Sequence, residues 1–278
     1  MEPARRAGHS DIVLLRRGRG LRVPPAFAFR DGMGEAVAQN IYDDPAFFAG
    51  YSQLPRQVHG LDGAPEWPAL RAMLPDARGK RVVDLGCGFG WVSRYLRGEG
   101  AASVLGIDLS RNMIARARAT TDDPGIDYEV ADLETLILPE ATYDLAFSAL
   151  AFHYIADFAR LAGTIHRALS PGGVLVFTIE HPIYMAADRP DWIAGAGGRR
   201  TWPVNGYALE GVRRTDWFAP GVAKQHRTLA TTLNTLIRAG FTLTAVEEFA
   251  PTTEQIAAAP ELADELERPM MLMVSARR

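Results

Sequence analysis

The stretch Val82-Val83-Asp84-Leu85-Gly86-Cys87-Gly88-Phe89-Gly90-Trp91 sets three glycines at alternate positions directly behind a short apolar run. The apolar run reads as a strand, and the glycines read as a tight turn into a helix that begins at Trp91. Glycine suits such a turn for two reasons: a side chain would hold a ligand off the backbone amides, and tight turns use positive φ. In an open parallel sheet, ligands sit outside the carboxyl ends of the strands, so this turn is a candidate cradle.

Outward from the turn, β-branched runs alternate with amphipathic ones, the rhythm of parallel strands joined by helical crossovers. Strands are predicted at 81–85, 103–108, 126–130, 143–148 and 174–179, the last entered through Pro171-Gly172-Gly173. Ser110 is placed to cap a helix with Met113, Ile114 and Ala117 on one face, and Leu161, Ile165 and Leu169 mark the buried stripe of another. The rhythm breaks at Glu180: residues 181–225 show no clear helix but carry three of the chain's five tryptophans, and read as an aromatic cap. Beyond it come a helix over 229–239 and strands over 241–249 and 270–276, the final pair antiparallel at one sheet edge. The fold class is α/β, a doubly wound, mostly parallel seven-stranded sheet with an antiparallel C-terminal edge strand and a cap insertion.

The 278 residues suffice for one large α/β domain or two small ones. A net charge of −3 argues against a protein built to hold nucleic acid, which needs a concentrated basic surface. Small molecules are the expected partners. The single cysteine, Cys87, excludes an internal disulfide and an all-cysteine zinc site, which suits a reducing, cytoplasmic compartment. Nothing requires a metal. The longest apolar stretches fall far short of the roughly 20 residues that span a bilayer, so no membrane anchor is expected. Residues 1–32 scatter seven arginines among Gly and Pro and are expected to be a disordered extension. Residues 33–278 then form a single domain, with lid helices in 33–78, broken by Pro55 and Pro65, and the cap over about 181–225. Monomer and homodimer are equally compatible with the sequence.

Two ligands compete for the glycine turn. A dinucleotide site is signalled by G-x-G-x-x-G, but here the third glycine comes one place early and Trp91 fills its position. The sequence resembles instead the class I S-adenosylmethionine-dependent methyltransferases, whose first motif D/E-x-G-x-G-x-G is matched by Asp84, Gly86, Gly88 and Gly90, with Cys87 inside it. The resemblance runs from about residue 79 to 177 and implies a Rossmann-like sheet with S-adenosylmethionine as cofactor. It implies that Asp108, beside Leu109 at the end of the second strand, takes the ribose hydroxyls; two vicinal hydroxyls want a bidentate acceptor, which a carboxylate supplies. Asp132 with Leu133 is implied beside the adenine, and Ser148 at the end of the fourth strand. Related enzymes close an N-terminal helix over the cofactor's carboxylate with tyrosine or arginine, a role open to Tyr42, Tyr51 and Arg56.

The N/D-P-P-Y/F stretch of many amino-group methyltransferases is absent; Ser148-Ala149-Leu150-Ala151-Phe152-His153-Tyr154 stands there and resembles the small-molecule branch. Its implied reaction is methyl transfer to an oxygen or nitrogen of a small organic acceptor. His153, His181 and His226 fall where the acceptor belongs, and an imidazole can take a proton near neutral pH. Each is a candidate catalytic base or a hydrogen-bonded structural histidine. Arg199, Arg200, Arg213 and Arg214 either meet an anionic substrate or are solvated. A peptide or protein side chain as acceptor, a nicotinamide-dependent oxidoreductase and a non-catalytic S-adenosylmethionine-binding module stay open as alternatives.

Overall fold

Alternating β-branched and amphipathic runs fold as the layered sheet they predict. The computed structural model describes residues 39–187 and 190–278. The strands are β1 (Arg81–Leu85), β2 (Ser103–Asp108), β3 (Ile126–Val130), β4 (Tyr143–Ala149), β5 (Leu169–Glu180), the short β6 (Ile193–Ala194) and β7 (Arg200–Thr201), β8 (Gly211–Trp217), β9 (Ala219–His226), β10 (Thr242–Glu248) and β11 (Met271–Arg277). Seven of them form one sheet in the order β10-β11-β5-β4-β1-β2-β3. Strands β1 to β5 are parallel, and β11 is antiparallel to both β5 and β10.

The C-terminal strand is antiparallel, as the sequence predicts, but it is threaded between β5 and β10. The edge falls to β10. Residues 271–276 of β11 are all buried, so both of its faces need cover, whereas β10 alternates exposed and half-buried residues and ends in Glu247 and Glu248.

The helices are α1 (Pro45–Tyr51), α2 (Pro55–Val58), α3 (Trp67–Ala72), α4 (Trp91–Gly98), α5 (Arg111–Ala119), α6 (Phe158–Ala168), α7 (Pro182–Ala186), α8 (Leu229–Arg238) and α9 (Thr253–Ala258). Ser110 caps α5 as predicted, its hydroxyl accepting from Met113 N–H at 3.1 Å. Pro55 does not break a helix; it opens one, because a proline's missing N–H is harmless in the first turn. The cap carries helix α7 and the β8–β9 hairpin, where no helix was expected. Leu161 and Ile165 of α6 and Leu236 of α8 pack on Val83, Leu175 and Phe177 at one face of the sheet. Leu96 of α4 and Ile114 of α5 pack on Val82, Val104 and Phe147 at the other. Ala38–Arg278 form one compact unit, and the extension expected over 1–32 lies outside the described residues.

Strand order reverses between β1 and β4, and the glycine turn sits at that reversal. Gly86 has φ +76°, and a Cβ there would lie 2.3 Å from Ala151 Cβ, so the turn after β1 presses on the turn after β4. Gly88 has φ +53°, with nothing within 4 Å of its would-be Cβ. Alanine at Gly88 is therefore expected to lower stability by about 1–2 kcal/mol from backbone strain alone. At Gly86 the overlap adds about 1–3 kcal/mol, so urea midpoints should fall further for G86A than for G88A.

Candidate active site

The turn's amides are held by the neighbouring strand. Gly86 and Cys87 donate to the Ile107 carbonyl at 2.7 and 2.9 Å, and Gly88 donates to Asp108 Oδ2 at 3.0 Å. Asp108 Oδ1 accepts from Ser110 N–H at 2.9 Å. Burial pushes the Asp108 carboxyl up to about 6, against the pull of these amide bonds. Each of its oxygens keeps a lone pair for a further donor. Asp43 accepts from Ser110 Oγ (2.6 Å) and Asn112 N–H (3.1 Å), tying the segment before α1 to the start of α5.

Asp84 and Ser148 lie beneath the turn and brace it. Asp84 is 2% exposed, accepts from Ser93 Oγ of α4 at 2.6 Å, and is pushed up to about 7 by burial. Ser148 is fully buried and donates to the Leu85 carbonyl at 2.7 Å. Cys87 is half-buried, and burial raises its thiol well above the ordinary range. Asp132 is half-buried, with Oδ1 accepting from Glu134 N–H at 2.8 Å; the Leu133 side chain belongs to the core. Leu109 is half-buried beside Asp108. Trp91 does not press on the sheet: its indole covers Gly60, and Arg94 stacks on it at 4.7 Å.

Aromatic rings gather over this floor. Phe47 of α1 is fully buried, with Tyr42 at 4.9 Å, Trp217 at 5.4 Å and Phe218 at 5.9 Å between ring centroids. Tyr42 and Tyr154 share a hydroxyl hydrogen bond at 3.0 Å, and Tyr51, pushed up to about 12 by burial, accepts from Gln57 Nε2 at 2.9 Å. Gln39 joins the hairpin by accepting from Ala223 N–H at 2.8 Å. Arg56 does not project over the floor with these tyrosines. Its guanidinium is forked onto Glu66 at 2.9 and 3.3 Å, because that carboxylate is 2% exposed and needs a cation.

All three histidines make the hydrogen bonds of the structural alternative. His181 caps α7, with Nδ1 accepting from Ile183 N–H at 3.0 Å and Nε2 donating to Glu248 at 2.7 Å. His226 donates from Nε2 to the Tyr207 carbonyl at 2.8 Å, leaving Nδ1 sealed without a partner. His153 accepts at Nδ1 from Glu180 N–H at 3.2 Å, so its proton sits on Nε2; burial, then Lys224 and Arg227, hold it well below the ordinary imidazole range. None offers an accessible lone pair.

The crevice beyond the ends of β4 and β5 is furnished by residues that sequence reasoning passed over. Glu180 ends β5 and is ion-paired with Lys224 of β9, the side chains 14% and 7% exposed. Lys224 lies over the Trp217 ring at 5.1 Å. Arg227 donates to the Phe152 and Ile155 carbonyls at 2.6 and 2.7 Å, bracing the turn that holds His153 and Tyr154. No local pattern marks these residues, which meet only through the fold. Arg200 stacks on Trp192 and pairs with Asp264, and Arg213 donates to the Ala186 carbonyl at 3.1 Å. No group of three potential metal ligands occurs among the described residues, and none of their helices is long and apolar enough to cross a membrane.

Open space at Gly88 and the spare lone pairs of Asp108 suit a ligand with a sugar diol. A methyltransferase-domain family model matches residues 83–177. The crystal structure of an S-adenosylmethionine-dependent methyltransferase from Mesorhizobium loti is similar, with 63% identity and a TM-score of 0.77 over 79% of this chain and all of that one. An uncharacterised protein of Haemophilus influenzae is 34% identical over 247 residues, 86% of this chain and 97% of that protein. Malonyl-[acyl-carrier protein] O-methyltransferase of Enterobacter lignolyticus is 42% identical over 110 residues, 40% of this chain and 43% of that enzyme. With its sheet order, its glycine turn and these full-length likenesses, the chain belongs to the class I S-adenosylmethionine-dependent methyltransferases.

Proposed function

We propose that the chain methylates an oxygen or nitrogen of a small organic acceptor in the cytoplasm. The observation that carries this reading is the two-part aromatic roof, in which Tyr42, Phe47 and Tyr51 from the N-terminal side meet Trp217 and Phe218 from the hairpin. It is tightly packed: a Cβ on Gly50 would lie 2.7 Å from the Phe218 ring. Apolar walls with a few convergent polar groups suit a small molecule. A duplex or a folded protein surface would have to displace the roof.

In this reading Asp108 takes the ribose hydroxyls, Asp132 and Leu133 flank the adenine with Leu109, and Gly86, Cys87 and Gly88 line the methionine side. Tyr42 and Tyr51 close over them. Asp84, Gly90, Ser148 and Arg56 keep the cradle in shape. Bound there, the sulfonium supplies an electrophilic methyl group. The protein's own contribution is to orient the acceptor in line with that methyl and to exclude water. Mass spectrometry of ligands carried through purification, followed by S-adenosylhomocysteine release on a panel of small alcohols, phenols, amines and peptides, tests the reading. Turnover of peptides alone would replace it with a side-chain acceptor.

Protonated Asp108 would meet the ribose hydroxyls with one of its two oxygens turned from acceptor to O–H donor, so donor affinity should depend on its ionisation. Its carboxyl is raised to about 6, so affinity is expected to hold above that pH and to fall about tenfold per unit below it. Calorimetry should show Asp108→Asn binding at least about tenfold more weakly near neutrality, with that acid slope gone. Equal affinity would remove the ribose assignment. His181→Ala should cost about 1 kcal/mol through the lost cap while the pH profile of turnover keeps its shape.

A further inference from the structure

We propose that Glu180, held by Lys224, is the proton acceptor of the transfer, and that the acceptor therefore arrives with a proton on its nucleophilic atom, as a hydroxyl or an amine. The proposal rests on the small-acceptor reading above and deepens it.

Glu180 is the last residue of β5, at the carboxyl edge of the sheet, and it lines a recess of about one water's volume with His153, Gln225 and Arg227. Lys224 engages Oε1, while Oε2 accepts nothing among the described residues. That oxygen is the unspent acceptor in the crevice. The groups that face Glu180 are Lys224 from β9, His153 and Tyr154 from the turn after β4, Tyr184 from α7, and Arg227. His153 is neutral with its proton on Nε2, and both tyrosines are raised above their ordinary range by burial, so none of these competes as a base.

The pair is also hard to explain as a device for stability. Desolvating two charges tends to cancel their attraction, and well-packed apolar replacements are often neutral or stabilising. Its service is to fix a carboxylate oxygen where an acceptor proton must go. In the transfer, the acceptor's oxygen or nitrogen forms the new bond to the methyl carbon, the electron pair of the broken carbon–sulfur bond stays on sulfur, and the acceptor's proton ends on Glu180. Lys224 is a positioning residue, fixed in turn over the Trp217 ring. A carboxylate acceptor would carry no proton to remove and would meet a like charge at Oε2.

The test compares the parent with Glu180→Gln, Glu180→Asp and Lys224→Met on four probes: glycerol, catechol, ethanolamine and succinate. The parent is expected to release S-adenosylhomocysteine with a hydroxyl or amine probe and not with succinate. Glu180→Gln should lose about 100- to 10,000-fold in kcat with donor affinity unchanged, and Glu180→Asp should recover part of the rate. Lys224→Met should lower kcat without abolishing turnover, while donor affinity and the KM for the donor stay unchanged. Turnover confined to succinate, or a Glu180→Gln rate equal to the parent's, overturns the proposal. A parent that turns over peptides alone overturns the small-acceptor reading, and the Glu180→Gln rate on those peptides then decides the proton acceptor separately. The double variant Glu180→Leu/Lys224→Met is expected to melt at or above the parent's temperature with donor affinity intact; loss of its fold would make the pair structural and overturn the assignment.

Discussion

The hydrogen bond from Gly88 N–H to Asp108, with the paired bonds from Gly86 and Cys87 to Ile107, binds the turn after β1 to the end of β2. The crevice floor depends on it. The turn can keep its left-handed glycines because these amides are satisfied by the neighbouring strand, and Asp108 can sit half-buried because amides point at it. Asp108 also accepts from Ser110 N–H, and Ser110 Oγ donates to Asp43 from the segment before α1. One chain of polar contacts thus runs from the sheet through the turn to the roof.

The roof is held by ring contacts from two distant parts of the chain, each such pair adding about 0.5–1.5 kcal/mol beyond simple burial. Its hairpin does more than cover. Lys224 and Arg227 descend from it, one to Glu180 and the other to the carbonyls on either side of His153 and Tyr154. The insertion therefore brings charges as well as apolar walls to the crevice beyond β4 and β5. The roof and the turn after β4 meet at the Tyr42–Tyr154 hydroxyl bond.

The site is assembled at a cost to stability. Burial raises Asp84 to about 7 and Asp108 to about 6, so the folded chain binds these two protons more tightly than the unfolded chain does. Their contribution is full at acid pH and is lost as pH rises from the ordinary carboxylate range, about 4, through the folded values. At neutrality Asp108 is largely charged although half-buried. Such a group is set for a ligand rather than for the fold.

The sequence by itself determined the seven strands of the main sheet, the glycine turn, the Ser110 cap, the position of Asp108 and the family resemblance, because each is written in contiguous residues. It did not determine what faces what. Glu180 and Lys224 are 44 residues apart. Arg56 looked suited to a cofactor carboxylate until the fold buried Glu66 beside it, and His181 looked aimed at the crevice until α7 took one of its nitrogens and Glu248 the other. The final strand read as an edge until both of its faces proved apolar enough to demand an interior place. Backbone conformation follows from local sequence, but a polar side chain's role follows from the partner that burial forces on it, and only the tertiary structure chooses that partner.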